Sequence, residues 1–174
     1  MVAEEGWDTG HGPGIAPGMR DAERADYREV VLVGRLREAI YRLNRTLPDE
    51  AVEEAVKTAL RPESAVVQSE NWRAYQLLTQ GVPVEYRDAE GVLRNLRARL
   101  IDWADPSAND LLAVNQFTIQ GAKKERRPDV VLFVNGLPLG LLELKKPGAV
   151  NATIASAYAQ IQTYKAQVPD LFTW

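Results

Sequence analysis

The chain has 174 residues, 45% hydrophobic and 26% charged, and a net charge of −3 at pH 7, values that are ordinary for one soluble globular domain. It contains no cysteine and a single histidine, His11, which excludes a cysteine–histidine zinc site, a cysteine nucleophile and a Ser–His–Asp triad. There is no apolar run of the roughly 18 residues that a membrane span requires and no secretory signal, and the lack of cysteine suits the cytoplasm, where we expect the protein to act.

The first half of the chain has the pattern of an irregular arm followed by three helices. Residues 1–20 are rich in Gly and Pro and lack apolar periodicity, so we predict an irregular or flexible arm preceding one domain, residues 21–174. Apolar residues at helical spacing predict a helix over residues 30–43. Pro48 with two acids opens a second helix that reaches residue 60, and a third runs from residue 63 or 64 to Gly81, which stops it.

The second half changes to the pattern of β-strands. Residues 82–86, 92–102 and 111–119 are rich in β-forming residues and are separated by turn clusters. Two further apolar strands flank Asn135–Gly136, which is a strong hairpin signal. A last helix begins at Asn151 or Thr153 and ends near residue 167. Helices, then strands, then a helix predict an α+β domain with a mixed β-sheet flanked by helices.

The hairpin combines apolar strands with charged ends. Both strands are apolar at nearly every position, so we expect both faces to be covered. Asp129, Glu143 and Lys145 nevertheless stand at the strand ends. A buried charge is costly unless it is paired, solvated or bound to a metal, so this conflict between burial and charge indicates a functional site.

The hairpin register decides whether Asp129 and Glu143 can meet. A plain two-residue turn would place them on opposite faces, because a slip of one residue reverses every side chain. We therefore predict a three-residue loop of Val134, Asn135 and Gly136, or else a bulge near Pro138 or Gly140 that has the same effect.

Two carboxylates with a backbone carbonyl between them form a hard oxygen site that suits Mg²⁺. Such an ion lowers the pKa of a bound water and stabilises charge on a phosphate. Lys145, two residues from Glu143 and on the same face, would orient the water or neutralise the developing charge. The set therefore points to metal-dependent phosphodiester hydrolysis by Asp129, Glu143 and Lys145.

Basic residues precede this site: Lys123, Lys124, Arg126 and Arg127 lead into Asp129, and Lys146 follows Lys145. Next to an acidic metal site they would hold DNA phosphates. The alternative is an ordinary solvated loop. The net negative charge fits a domain that is delivered to DNA by other domains better than a self-sufficient DNA binder.

Several segments together resemble a known family. Pro128-Asp129 followed by Glu143-Leu144-Lys145 resembles the PD-(D/E)xK nuclease signature, and Gln160 with Tyr164 resembles the QxxxY motif that follows it. From about Gly10 onward the chain resembles the amino-terminal domain of the restriction (R) subunit of type I restriction-modification enzymes. The segments that carry this resemblance are residues 22–30, 81–86, 112–117, 127–139 and 160–167.

The resemblance implies a PD-(D/E)xK restriction-endonuclease-like core that cleaves double-stranded DNA with Mg²⁺ and has no sequence preference of its own. It also implies ATP-driven translocase domains beyond this chain, which bind the ATP, and modification and specificity subunits that choose the recognition site. No membrane partner is implied. We therefore expect the chain to be part of a longer subunit.

The resemblance also gives roles to residues outside the hairpin. Gln160 and Tyr164 project from one helix face and would contact phosphate or fix Lys145. Spacing alone favours the other interpretation, in which Tyr164 is a boundary core aromatic and Gln160 a solvated neighbour, and the resemblance reverses that preference. Glu70 would be an additional metal ligand, or else a solvated helical acid. Two other functions remain open: an independent Mg²⁺ nuclease of repair or recombination, and a non-catalytic DNA-binding or assembly module.

Overall fold

The computed structural model describes residues 5–145, 148 and 153–174. The helices are α1 (Val33–Leu43), α2 (Asp49–Leu60), α3 (Val67–Gln80) and α4 (Ile154–Gln167), with 3₁₀ turns at Pro106–Ala108 and Pro169–Phe172. The strands are β1 (Asp8–His11), β2 (Val82–Arg87), β3 (Leu93–Ala98), β4 (Leu111–Asn115), β5 (Ile119–Gln120), β6 (Glu125–Arg126), β7 (Val130–Val134) and β8 (Leu137–Leu142). Asn151 and Lys146, both named above, lie outside the described residues.

The main sheet has four strands in the order β1-β4-β7-β8. Strand β1 is parallel to β4, whereas β4–β7 and β7–β8 are antiparallel. Two-stranded sheets β2–β3 and β5–β6 accompany it. The predicted α+β class with a mixed sheet is confirmed. Within the described ranges, each helix is too short or too polar to cross a bilayer.

The structure departs from the predicted elements where tertiary contacts intervene. Part of the predicted irregular arm, Asp8–His11, forms β1, because β4 offers a free edge with which it pairs. The strand predicted over residues 111–119 is divided into β4 and β5 by Gln116, whose φ of +55° interrupts the extended backbone. Helix α1 begins at Val33 rather than at residue 30, since Leu32 has a non-helical ψ of +86° and its N–H donates to the Gly136 carbonyl.

The two faces of strand β7 differ in burial. Val131 and Phe133 of β7 are fully buried, whereas Val130, Leu132 and Val134 between them are half-buried. The expectation that both faces of the hairpin would be covered is therefore met completely on one face of β7 and in part on the other. Apolar side chains at every position in β7 reflect one buried and one partly covered face.

The hairpin has a two-residue turn and a bulge. Val134 pairs with Leu137 across the turn, so the predicted three-residue loop is wrong. Farther from the turn, Leu132 pairs with Gly140, and Leu139 is the extra residue that shifts the register. The alternative prediction, a bulge in the second strand, is confirmed. The shift restores to one face side chains that a regular hairpin would separate.

Asn135 holds the turn in place. Its side chain is completely buried and has a φ of +52°, which Asn tolerates better than most residues. The Asn135 Oδ1 accepts hydrogen bonds from the Asp110 N–H at 2.8 Å and from Arg42 at 3.0 Å. Its Nδ2 donates to Leu100 O and Asn109 Oδ1, both at 2.8 Å. Every polar atom of the buried amide is therefore paired.

Replacing Asn135 with Ala should lower the free energy of unfolding by about 3 kcal/mol, because buried donors and acceptors lose their partners. Urea denaturation measures this loss. Asn95→Ala, at an exposed position of β3, is the control and should change stability by less than about 0.5 kcal/mol. Equal effects of the two substitutions would contradict the role given to the Asn135 amide.

Candidate active site at the end of the β7–β8 hairpin

The hairpin register brings Asp129 and Glu143 together. Val130 pairs with Leu142, the last pair of the ladder, and one further residue on each strand sets Asp129 opposite Glu143. Side chains of such a cross-strand pair share one face, with Cβ atoms about 4.5–5.5 Å apart. The Leu144 N–H donates to Asp129 Oδ2 at 2.7 Å, which ties the two strand ends together.

Glu143 and Lys145 belong to a closed ring of polar contacts with α4. Lys145 Nζ lies 3.3 Å from Glu143 Oε1 and donates to Gln160 Oε1 at 2.5 Å. Gln160 Nε2 donates to Tyr164 Oη at 2.6 Å, and this hydroxyl donates to Glu143 Oε2 at 3.2 Å. The ring therefore fixes the position of the ammonium group relative to the carboxylate.

Helix α4 is oriented so that one face meets the hairpin end. Thr153 caps its N-terminus, accepting from the Ser156 N–H at 3.1 Å, and the Ser156 side chain completes the capping box. Gln160 and Tyr164 are four residues apart, so they project from the same side of the helix. The spacing in the sequence therefore puts both side chains on one face of α4, and the packing of the helix brings that face into contact with Glu143 and Lys145.

Charge within the site is unbalanced. The Glu143 side chain is only 5% exposed, and Asp129 faces it with a second carboxylate, while Lys145 supplies one positive charge. Burial raises the pKa of the Tyr164 hydroxyl above its ordinary value, the hydrogen bond from Gln160 lowers it, and the negative charges of Glu143 and Asp129 raise it further. Tyr164 therefore remains a neutral donor at neutral pH, and both carboxylates lie within electrostatic reach of it.

The donors present fit a hard divalent cation. No group of three or more His, Cys, Asp or Glu side chains that could hold a metal occurs in the described part of the chain. Two carboxylates facing each other across neighbouring strands repel, however, and a cation between them would relieve that repulsion. Asp129, Glu143 and the Leu144 carbonyl would supply oxygen ligands, and water would complete the coordination of Mg²⁺.

Glu70 lies in a different set of contacts. Its Oε1 accepts from the Glu63 N–H at 2.9 Å and from the Ser64 N–H at 2.6 Å, and Oε2 lies 3.6 Å from Arg73. These bonds also explain why α3 begins at Val67 rather than at residue 63 or 64. The structure does not join Glu70 to Asp129 or Glu143 through any contact among the described residues, and its role as a metal ligand stays a prediction.

The predicted phosphate-binding residues are divided between two settings. Lys123 and Lys124 are exposed in the β5–β6 turn, and Arg127 is exposed just before the buried Pro128. Arg126, in contrast, donates to Gln167 Oε1 of α4 at 2.6 Å. Arg126 therefore anchors the β5–β6 hairpin to the helix that carries Gln160 and Tyr164.

Two further contacts near the site, one from a backbone N–H and one between side chains, were not predicted from the sequence. The Gln116 N–H donates to Asp129 O at 3.1 Å, and Gln116 itself has a φ of +55°. His11 contacts Asn115 at 2.6 Å. Asn115 pairs with Val130, the neighbour of Asp129, so this pair lies on the sheet face opposite the two carboxylates. The left-handed conformation of Gln116 could not be predicted from the sequence, because Gln, unlike Gly or Asn, does not favour it.

Residues 1–174 match the family model described as type I restriction enzyme R protein N terminus. The endonuclease subunit of the type I restriction enzyme HindI of Haemophilus influenzae is 37% identical over 170 residues, 97% of this chain and 16% of that subunit. The putative type I restriction enzyme MjaIXP endonuclease subunit of Methanocaldococcus jannaschii is 28% identical over 172 residues, again 97% of this chain and 16% of the relative. The chain thus spans about 16% of the length of these curated relatives.

Tyr164→Phe should destabilise the protein by about 1–2 kcal/mol, because the nearly buried Glu143 carboxylate loses a donor while the ring shape is kept. Chemical denaturation without divalent cations measures this. Tyr158→Phe removes a hydroxyl from an exposed position of the same helix and should change stability by less than about 0.5 kcal/mol. An equal, small effect of both substitutions would show that the hydrogen bond from Tyr164 to Glu143 contributes no stability.

Proposed function

The chain belongs to the family of type I restriction enzyme R protein N termini, as its motifs predicted, and on this basis we propose that it is a Mg²⁺-dependent endonuclease domain with a PD-(D/E)xK core. Its substrate is the phosphodiester backbone of double-stranded DNA. The observation that carries the proposal is the convergence of Asp129, Glu143 and Lys145 at one end of the bulged hairpin. The nuclease domain of residues 21–174 belongs to the same proposal, and β1 of the preceding segment joins its main sheet by pairing with β4.

Each residue has a role that its contacts support. Asp129 and Glu143 would hold the cation, which supplies a water of lowered pKa and a positive charge beside the phosphate. Lys145, fixed by Glu143 and Gln160, would donate to the attacking water or to the phosphate as negative charge develops there. In the hydrolysis a bond forms between the water oxygen and phosphorus, and one ester P–O bond breaks. Gln160 and Tyr164 are positioning residues in this scheme.

The wider setting of the reaction rests on the family. The relatives are about six times as long as this chain, since it spans 16% of their length. We propose that the full-length protein also has ATP-driven translocase domains and works in the cytoplasm with modification and specificity subunits. Lys123, Lys124 and Arg127, with Arg126 as an anchor, would then hold the DNA delivered by translocation.

One observation favours a non-catalytic alternative. Both Glu143 oxygens already have protein partners, Lys145 and Tyr164, as they would in a purely structural ion pair. In that case the domain would be a DNA-binding or assembly module. Metal binding separates the two functions, because a structural ion pair needs no cation.

Glu143→Gln should abolish Mg²⁺ binding by this chain in isothermal titration calorimetry, because one of the two anionic ligands becomes neutral. In the assembled full-length enzyme with ATP, the same change should slow DNA cleavage by on the order of 10²–10³-fold. Glu85→Gln, at an exposed position of β2, makes the same charge change and should have no effect. Cleavage at the wild-type rate by Glu143→Gln would refute the proposed function.

Lys145→Ala should separate binding from chemistry. The variant keeps both carboxylates and loses the cation that competes for Glu143, so its Mg²⁺ affinity should equal or exceed that of the wild type. DNA cleavage should fall by on the order of 10²-fold or more. Lys165→Ala, at an exposed position of α4, serves as the charge-matched control. Normal cleavage by Lys145→Ala would remove Lys145 from the mechanism.

A further inference from the structure

A second charged feature lies at the other end of the hairpin. Four arginines border one open depression of about 430 Å³ between the α1–α2 connection and β3: Arg42, Arg45, Arg97 and Arg99. We call these four residues the arginine basin. Asn44, Thr46 and Leu96 also line it, and no acidic side chain does so among the residues that the structure describes.

Most of the charge in the basin is not neutralised. Neutral acceptors hold three of the guanidinium groups: Arg42 binds Ala108 O and Asn135 Oδ1, Arg97 binds Gly81 O, and Arg99 binds Leu43 O. Arg99 alone of the four has an acidic partner, Asp102 at 3.2 Å, and Arg45 contacts no partner in the described ranges. The basin therefore has a net positive charge although the whole chain has −3.

Several arginines outside the basin are neutralised by carboxylates. Carboxylates pair with four that lie outside the basin: Arg35 with Glu23 and Asp110, Arg37 with Glu53, Arg73 with Glu63 and Glu70, and Arg94 with Asp88. Arg24, Arg87 and Arg126 bind neutral oxygens as the basin arginines do, so the basin is distinguished by having four arginines and no acidic side chain in its lining. Carbonyl bonds hold the guanidinium groups in place and leave further N–H donors free, an arrangement suited to phosphate oxygens.

The basin is separate from the candidate active site. Arg42 binds Asn135 in the β7–β8 turn, whereas Asp129 and Glu143 lie at the opposite end of that hairpin. The five residues of β7 separate these ends by roughly 17 Å at about 3.3 Å per residue. A phosphate held in the basin is therefore a different phosphate from the one at Glu143.

We infer that the arginine basin binds the backbone of double-stranded DNA at a second contact, distinct from the cleavage site. The inference rests on the proposed nuclease function for the identity of the polyanion. Arginine and Thr are common donors to DNA phosphates, and both kinds of side chain line the basin. The contact carries no sequence information, and it positions the duplex.

The test measures binding of a fluorescein-labelled duplex oligonucleotide to this chain by fluorescence anisotropy. EDTA is present so that no cleavage occurs, and salt is varied between about 50 and 200 mM. Arg45→Ala combined with Arg97→Ala should weaken binding by at least about five-fold and reduce the slope of log affinity against log salt by about one for each lost contact. Lys at both positions keeps the charge and should restore most of the affinity.

The matched control is Lys57→Ala combined with Arg61→Ala. These exposed residues lie toward the far end of α2, whose 12 residues span about 18 Å, and their loss changes the net charge by the same amount. The control should bind DNA within about two-fold of the wild type.

Three results would overturn the inference: no salt-dependent binding by the wild type, wild-type affinity in the Arg45/Arg97 alanine variant, or an equal loss in the control. In the second of these cases, the basin would not bind DNA, and an acidic protein surface would be the partner to test next. Circular dichroism confirms that each variant is folded. The binding assay contains EDTA and does not depend on cleavage, so a failure of the nuclease proposal in the cleavage assay remains distinguishable from a failure here.

Discussion

The structure depends on a single extra residue in one strand. Side chains alternate across a sheet, so Asp129 and Glu143 share a face only if the β7–β8 pairing slips by one position between the turn and the strand ends. Leu139 provides that slip. Without it one carboxylate would point toward the half-buried face, away from α4. The site therefore rests on a backbone irregularity rather than on any pairwise attraction, since the two acids repel.

The residues that stabilise the hairpin lie at its turn, and the candidate site residues lie at its open end. At the turn, a fully paired Asn135 fixes the loop against α1 and the segment before β4. At the open end, Glu143 and Lys145 are held by α4 through Gln160 and Tyr164. A rigid turn transmits a defined register to the strand ends, and the helix then restrains the charged side chains. This arrangement lets costly charges persist beside an apolar sheet.

The distribution of charge follows the same logic. A net charge of −3 conceals a positive surface at the turn end, because only Arg99 of the four basin arginines has a carboxylate partner among the described residues. Long-range attraction to a polyanion depends on such local imbalance more than on the total. A domain that contacts DNA at two separated places can hold the duplex without a strongly basic composition.

The sequence by itself determined the α+β class, the approximate bounds of α2 and α4 and the turn at Asn135–Gly136. It also identified Asp129, Glu143 and Lys145 as candidates for the site. These follow from local signals: apolar periodicity, caps, turn chemistry and charges in an apolar run. Tertiary structure alone decided the rest. The meeting of distant backbone groups decides the position of the bulge, the pairing of β1 with β4 and the left-handed conformation of Gln116. Local residue type does not determine these long-range contacts, because the same residues could form equally good hydrogen bonds with other partners in a different packing.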